Sequence, residues 1–314
     1  MKKLIYILKR IVIMLFTLLA VSFILFMVLR LTGTDPLNVI AGEKQNISDE
    51  AREALREQYD LNKPLIVQYG IWLKGVLQGD FGTDYVQKVS VNDLIAGRLS
   101  VTVGMVVISM LLSIIIAIPL GILSALKNGT ALDSVISFVM LLLTSVPGFL
   151  VAMLALILLN RFWPSYTITG TFSTIPEYFE RLFVPSVCLA FGNIALIGRV
   201  TRNAMVEQLN SDYITTCKAK GISMRQTVLR HAFKNSVIPV FTISAMLVGT
   251  MIGASVLVEQ IFSLPGLGSL LSTAVLKHNY PVIMALTLLI LVVFQVVNLI
   301  SDILYTVIDP RITV

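Results

Sequence analysis

The chain has 314 residues, 56% of them hydrophobic and only 13% charged, with a net charge of +6. A soluble domain carries about 25% charged residues, so these proportions exclude an ordinary soluble enzyme, a disordered chain and a nucleic-acid binder. In so apolar a chain the surplus positive charge bears instead on which side of a membrane each loop faces.

A bilayer core of about 30 Å takes about 20 apolar residues as helix. Runs free of Asp, Glu, Lys and Arg occur at 11–29, 101–126, 134–160, 182–198, 235–258 and 278–301, and they predict six transmembrane helices. The first follows Lys2, Lys3, Lys9 and Arg10. Its apolar stretch exceeds the roughly 7–15 residues of a secretory signal and no small-residue cleavage site follows Leu29, so it reads as a retained helix.

Residues 31–100 are too polar to span. Ser48 can cap a helix with Asp49 and Glu50 in its first turn, where the helix dipole favours anions, and that helix runs to about Tyr59. Pro64 suits the first position of a second helix and Gly79 its end. That helix presents Leu65, Tyr69, Trp72, Leu73 and Val76 on one broad side, a surface for the membrane or for other helices. The run Gly79-Asp80-Phe81-Gly82-Thr83 contains the letters of a kinase magnesium motif. No Gly-rich nucleotide loop or His-Arg-Asp loop accompanies it, so it reads as a tight turn.

Kinks are expected where proline removes a helix hydrogen bond: Pro119 near Gly121, Pro147 beside Gly148, and Pro239. The fourth run is the shortest and holds Gly192 and Asn193, which suits a helix shielded by its neighbours. The short loops set orientation. Residues 199–234 carry Arg199, Arg202, Lys218, Lys220, Arg225, Arg230 and Lys234 against Glu207 and Asp212, so this segment and both termini are expected in the cytoplasm, with 161–181 and 259–277 outside.

Inside that basic segment, Ser211 can cap a short helix at 212–220, and Gly221 fits the left-handed residue that ends it. Ser223 with Gln226 forms a capping box for the next helix, which continues toward Pro239. The product is a compact, basic helix–glycine–helix knob, a rigid shape suited to a partner's groove. In the fifth run Ala245, Gly249 and Gly253 recur every four residues. They make a smooth strip for close contact, within the chain or against a second membrane subunit across a pathway.

The sequence contains no Walker A motif. Two cysteines, Cys188 and Cys217, are too few for a disulfide framework or a cysteine-only zinc site, and His231 and His278 lie too far apart to pair as ligands. No acid falls within a run; Glu259 and Asp302 sit just past span ends, and Asn193, Gln295 and Asn298 are the notable large polar groups inside. An ion-coupled carrier usually places ionisable or unwound polar sites at the membrane centre, so that reading is the runner-up. An intramembrane enzyme lacks its acid pair, Ser–His pair or His-rich set. The chain is therefore expected not to be an enzyme, and to hold no metal or cofactor.

The stretch DYITTCKAKGISMRQTVLRHAFKNSVIP at 212–239 resembles the cytoplasmic loop of bacterial ABC-importer permeases. In particular it is similar to the B-type membrane subunit of the oligopeptide/dipeptide (also nickel and glutathione) permease family. YDLNKPLIVQYGIWLKGVLQGDFGTDY at 59–85, VEQIFSLPGLGSLL at 258–271 and Asp309-Pro310-Arg311 resemble further islands of that family in the same order. The loop departs from the general signature at Thr215, Thr216 and Cys217, where Glu-Ala-Ala is usual, and at Lys234, where Pro is usual. The peptide branch's own wording is matched at 219–221, 230–232, 235 and 238–239.

The resemblance implies an all-α polytopic membrane protein with the type I importer transmembrane domain. Residues 1–30 would be a cytoplasmic tail and first transmembrane helix, 31–97 an extracytoplasmic helical insertion, 98–306 a five-helix core with its coupling loop at 199–236, and 307–314 a cytoplasmic tail. It implies the bacterial cytoplasmic membrane, a paralogous second permease subunit, two ABC ATPase subunits carrying ATP and Mg, and an extracytoplasmic solute-binding protein. The short helix before Gly221 is then the coupling helix. Ala219, Lys220, Gly221 and Ile222 are expected at the ATPase contact and Asp212, Arg225 and Arg230 as rim charges, with Tyr213, Cys217, Lys218, Ser223 and His231 in the same patch. The segment 31–100 and the turn Pro265-Gly266-Leu267-Gly268 are candidates for docking the binding protein, unless the turn simply reverses the chain. Peptides are the first expected substrate; nickel, metal chelates and glutathione are the alternatives.

Overall fold

The computed structural model describes residues 2–31, 35–41, 48–164, 166 and 174–308, with side chains except at 2–6, 41 and 301–308. Asp309-Pro310-Arg311 and the side chain of Asp302 lie outside the described residues. Among those residues the elements are helices, with one isolated β-bridge between Thr83 and Ser90. The chain gathers into two compact units: residues 1–100 with 265–295, and 101–264 with the chain from 296 onward.

The first unit holds α1 (Lys2–Leu31), α2 (Pro36–Ala41), α3 (Asp49–Gln58), α4 (Leu65–Leu77), the start of α5 (Val91–Leu126), α12 (Leu267–Leu276) and the start of α13 (Tyr280–Ile308). Ser48 caps α3 as expected, its Oγ accepting from Ala51 N at 3.3 Å. In α4 the start shifts by one residue. Pro64 is the extended N-cap with ψ 144°, Leu65 is the first helical residue, and Gly79 follows the C-cap with φ +82°. The aromatic side of α4 meets α1. Tyr69 Oη lies 2.9 Å from Ser22 Oγ, and its ring stands edge-on to Phe23 and Phe26. Trp72 and Leu73 join that cluster, while Leu65 stays exposed.

The 79–83 run is a turn. Asp80 Oδ1 accepts from Gly82 N at 2.8 Å, and Asn92 spans it by donating to Gly79 O at 2.6 Å and accepting from Phe81 N at 3.1 Å. The core of this unit includes Ile40, Tyr85, Val91, Leu267, Tyr280 and Leu286. In Pro265-Gly266-Leu267-Gly268, Pro265 is half-buried. Gly266 is the extended N-cap of α12, and Gly266, Leu267 and Gly268 are buried, because Leu267 supplies an apolar side chain to that core.

The second unit holds the rest of α5, α6 (Ala131–Ser145), α7 (Gly148–Phe162), α8 (Ile175–Leu209), α9 (Asp212–Ala219), α10 (Met224–Gln226), a π turn (Thr227–Ala232), α11 (Phe233–Ile261) and the end of α13. The third apolar run is not one straight helix. α6 and α7 meet at 92° across Val146 and Pro147. Pro147 donates no hydrogen bond and drives the preceding Val146 to φ −91°, ψ 120°, which no helix accommodates. Among the described residues five helices are long and apolar enough to cross a membrane, and the bent pair makes a sixth if counted as one span. Pro119 and Pro239 lie inside α5 and α11 without ending them.

α8 packs on α6, α7 and α11 and is the most enclosed span, with 50% of its apolar window buried, which accounts for its weaker hydropathy. α5 approaches it closely. A Cβ added at Gly121 would lie 2.6 Å from Gly198 O and 2.6 Å from Thr201 Cβ.

Candidate functional site

The knob between α8 and α11 is built from local rules. α8 ends at Leu209, and Ser211 is extended at φ −80°, ψ 153°, the backbone of an N-cap. Its hydroxyl does not cap α9, contrary to the expectation. It turns back to donate to Gln208 O, a carbonyl at the end of α8 that also accepts from Ser211 N at 3.1 Å. Asp212 in the first turn of α9 complements the helix dipole. At the other end Gly221 has φ +73°, with Gly221 N donating to Lys218 O at 3.0 Å and Ile222 N to Cys217 O at 3.1 Å. These two bonds form a Schellman motif, which closes the helix and requires the left-handed residue. Ser223 Oγ then accepts from Gln226 N at 3.4 Å. The next helix starts there and passes through the π turn at Thr227–Ala232, a wide turn often found at functional positions.

The inner face of α9 is locked. Ile214 is buried with Ala125, Met205, Val228 and Ala232, and Tyr213 and Phe233 pack against the same cluster. Tyr213 Oη donates to Gln208 Oε1 at 2.8 Å and accepts from Asn235 Nδ2 at 3.1 Å, bracing α9 against the ends of α8 and α11. The outer face is open: Asp212, Lys218, Ala219, Lys220, Gly221, Ser223, Arg225 and Arg230 are exposed, and Ile222 and His231 are half-buried. Its exposed charges are four cations against one anion. Cys217, expected in the same patch, is placed differently from its neighbours. It is buried on the inner face beside Ile214, as the three-residue helical spacing dictates, so it anchors the knob rather than lying on its surface.

The remaining candidates fall elsewhere. Asn193 donates to Leu189 O of its own helix at 3.0 Å. Of the small-residue strip, Gly249 is buried and Ala245 half-buried, whereas Gly253 is exposed with nothing within 4 Å of an added Cβ. Ala245 lines an apolar groove of about 420 Å3 together with Met110, Ile118, Phe241 and Val297.

Two polar clusters escaped the sequence reading. Glu259 is fully buried within α11, accepting from Thr102 Oγ1 at 2.7 Å and Ser255 Oγ at 3.3 Å, although its place in the sequence puts it just past the apolar run. Asp133, one residue ahead of the third run, is buried against Arg202. A lone acid at the rim of an apolar run, with a serine or arginine to meet it, is the available signal; the partner is set by tertiary structure.

A bundle of apolar spans with a rigid basic knob defines a polytopic membrane subunit, and its fold is that of the type I ABC-importer transmembrane domain. It matches a chain in inward-facing structures of the MetNI methionine ABC transporter with TM-score 0.58 at 16% identity, covering 69% of this chain and 96% of that one. A second crystal form of the same transporter matches with TM-score 0.58 at 17% identity. Residues 117–314 match the family described as binding-protein-dependent transport system inner membrane component, and residues 3–106 match its N-terminal family. The chain belongs to this family and is a permease subunit of an ABC importer. Oligopeptide transport system permease protein AppB of Bacillus subtilis (strain 168) is 37% identical to it over 98% of both chains.

Proposed function

We propose that this chain forms part of the translocation pathway of an ATP-driven peptide importer in the bacterial cytoplasmic membrane, and that ATPase subunits drive it through the 212–222 knob. One observation carries the coupling role. α9 is fastened on its inner face by Ile214, Cys217 and the Tyr213 brace, and is open and basic on its outer face. A helix held this way transmits displacement as a rigid body instead of bending. The likeness to AppB over nearly the whole chain supports peptides as the substrate.

The full importer comprises this chain, a paralogous permease, two ATPase subunits that bind ATP and Mg, and an extracytoplasmic binding protein. Both termini and the knob are cytoplasmic. ATP closes the ATPase dimer, which favours one arrangement of the two knobs and the outward-facing bundle. Hydrolysis reverses the preference, and the binding protein discriminates between the two states from outside.

A cysteine at Ala219 tests this. Both native cysteines are buried, so Ala219→Cys supplies the accessible thiol. In the assembled importer a short bifunctional reagent should join position 219 to an ATPase subunit. Labelled peptide should accumulate in proteoliposomes only with ATP, and vanadate should stop it. No crosslink from position 219, or uptake that survives vanadate and collapses with an uncoupler, would refute the proposal.

A further inference from the structure

A cavity of about 800 Å3 lies in the first unit, where the end of α1 and the start of α13 meet α4 and the 81–88 segment. Its wall includes the aromatic residues Phe26, Tyr59, Trp72, Phe81, Tyr85 and Tyr280. Two cations stand in that wall. The Arg30 guanidinium is 5.4 Å from the centroid of Phe26 and 5.7 Å from that of Tyr280. The Lys88 ammonium is 5.6 Å from the centroid of Tyr59 and donates to Ile40 O at 3.1 Å.

Among the described residues neither cation has a carboxylate within ion-pair reach. The acid of the wall, Asp60, is held by Lys63 at 2.8 Å. Desolvation lowers the Lys88 ammonium from its ordinary value against the pull of Asp84, and burial raises the Tyr85 hydroxyl against the Arg30 guanidinium beside it. Two further wall residues carry orphaned polar atoms: Trp72 Nε1 and Oε1 of the buried Gln68 have no hydrogen-bond partner among the described residues. Buried polar groups normally find one.

The position narrows the ligand. Arg30 is in the last turn of α1 and Tyr280 opens α13, both apolar helices long enough to span. The cavity thus sits where hydrocarbon gives way to headgroups, the depth that aromatic and basic side chains favour.

We propose that this cavity binds the phosphate of an anionic phospholipid, with Arg30 and Lys88 as its counter-charges and the aromatic residues of the wall around the glycerol. A guanidinium offers phosphate a planar fork of donors, and two cations with no carboxylate in direct ion-pair contact gain more from an anion than from a zwitterion. The inference needs only that α1 and α13 cross a membrane, and does not rest on the peptide reading.

The full chain tests it in uncharged detergent. The chain has two tryptophans, so Trp163→Phe leaves Trp72 as the reporter. This protein is titrated with short-chain phosphatidylglycerol, with phosphatidylcholine of equal chain length, and with inorganic phosphate. Trp72 emission should saturate with phosphatidylglycerol at about tenfold lower concentration than with phosphatidylcholine, the scale of one charge-assisted hydrogen bond. Arg30→Gln should remove most of that preference and Arg30→Lys keep part of it. Lys88→Gln, on an exposed turn, provides the same test independently of any folding defect at Arg30. Saturation by inorganic phosphate alone, lost in the Arg30→Gln variant, would overturn the lipid source while retaining the anion site. Equal response to the two lipids, or a preference intact in both glutamine variants, would overturn the proposal altogether.

Discussion

Arg202 grips Asp133 through both carboxylate oxygens, Nε to Oδ1 at 2.7 Å and Nη2 to Oδ2 at 2.6 Å. Asp133 also accepts from Ser124 Oγ at 2.6 Å and Gly129 N at 3.0 Å, and Arg202 reaches Asn128 Oδ1 at 2.9 Å. One ion pair therefore gathers the end of α5, the turn after it, the first turn of α6 and the far half of α8. The Asp133 side chain is 6% exposed and that of Arg202 23%. Removing one partner of a buried pair leaves an uncompensated charge and costs about 3–5 kcal/mol. Arg202→Ala should lower the thermal midpoint in detergent accordingly. Asp133→Asn should cost less, because Arg202 is the more exposed partner and can turn toward water. Arg202→Lys keeps the charge and loses the fork, so it should fall between parent and Arg202→Ala. A melting curve for Arg202→Ala superimposable on the parent's would contradict this role.

Gly221 separates backbone from packing. Its φ is +73°, and a Cβ built there meets nothing within 4 Å. A side chain at this position is therefore penalised by conformation alone, by about 1–2 kcal/mol and more for a β-branched residue. Gly221→Asn, which tolerates the left-handed region, should keep peptide-stimulated ATP hydrolysis in the assembled importer. Gly221→Val should insert into the membrane normally and lose most of that stimulation, because the Schellman turn no longer sets the outer face of α9. Stimulation and uptake at parent level in the valine variant would refute the link between the turn and coupling.

The Tyr213 hydroxyl makes a different kind of prediction. Tyr213→Phe removes two hydrogen bonds, to Gln208 and Asn235, and leaves the ring's packing in place. Because both partners can find water, stability should fall by no more than about 1 kcal/mol. The brace, however, joins α9 to both flanking helices. Residues along a coupling element change coupling by about 0.5–2 kcal/mol, so uptake per ATP hydrolysed should fall by about threefold or more. Measuring both rates in one proteoliposome preparation separates these effects. A proportional fall in the two rates would mean that Tyr213 only holds the fold.

What could be read before the structure was what local chemistry decides. Ser48, Gly221 and Ser223 behave as read, because caps and left-handed stops depend on a few neighbouring residues. The spans were legible because transfer into hydrocarbon is a property of composition. Pro147 marked the break in the third run, but the 92° angle depends on what α6 and α7 pack against. Asp133 and Arg202 lie 69 residues apart, and in the sequence Arg202 is simply one more positive charge in a basic segment. The π turn at 227–232 carries no compositional mark at all, and the hydroxyl of Ser211 chose the carbonyl behind it over the amides ahead.

Small residues show the same divide, and they yield a test. Periodicity singles out Ala245, Gly249 and Gly253, yet a close helix approach within this chain is at Gly121 and Gly198. There an added Cβ at 121 meets backbone oxygen and one at 198 meets Met140 Cε at 2.5 Å. A methionine tip can move and a backbone carbonyl cannot. Gly121→Ala should therefore destabilise the chain by about 1–3 kcal/mol, the scale of overpacking, and Gly198→Ala by less. Gly253 is the opposite case, exposed and facing open space, so Gly253→Ala should leave the isolated chain's thermal midpoint unchanged or slightly raised, since alanine is the better helix former. If Gly253 faces the second permease subunit, Gly253→Leu should preserve the isolated chain and weaken co-purification of that subunit. Undiminished co-purification with Gly253→Leu would place the strip against lipid instead.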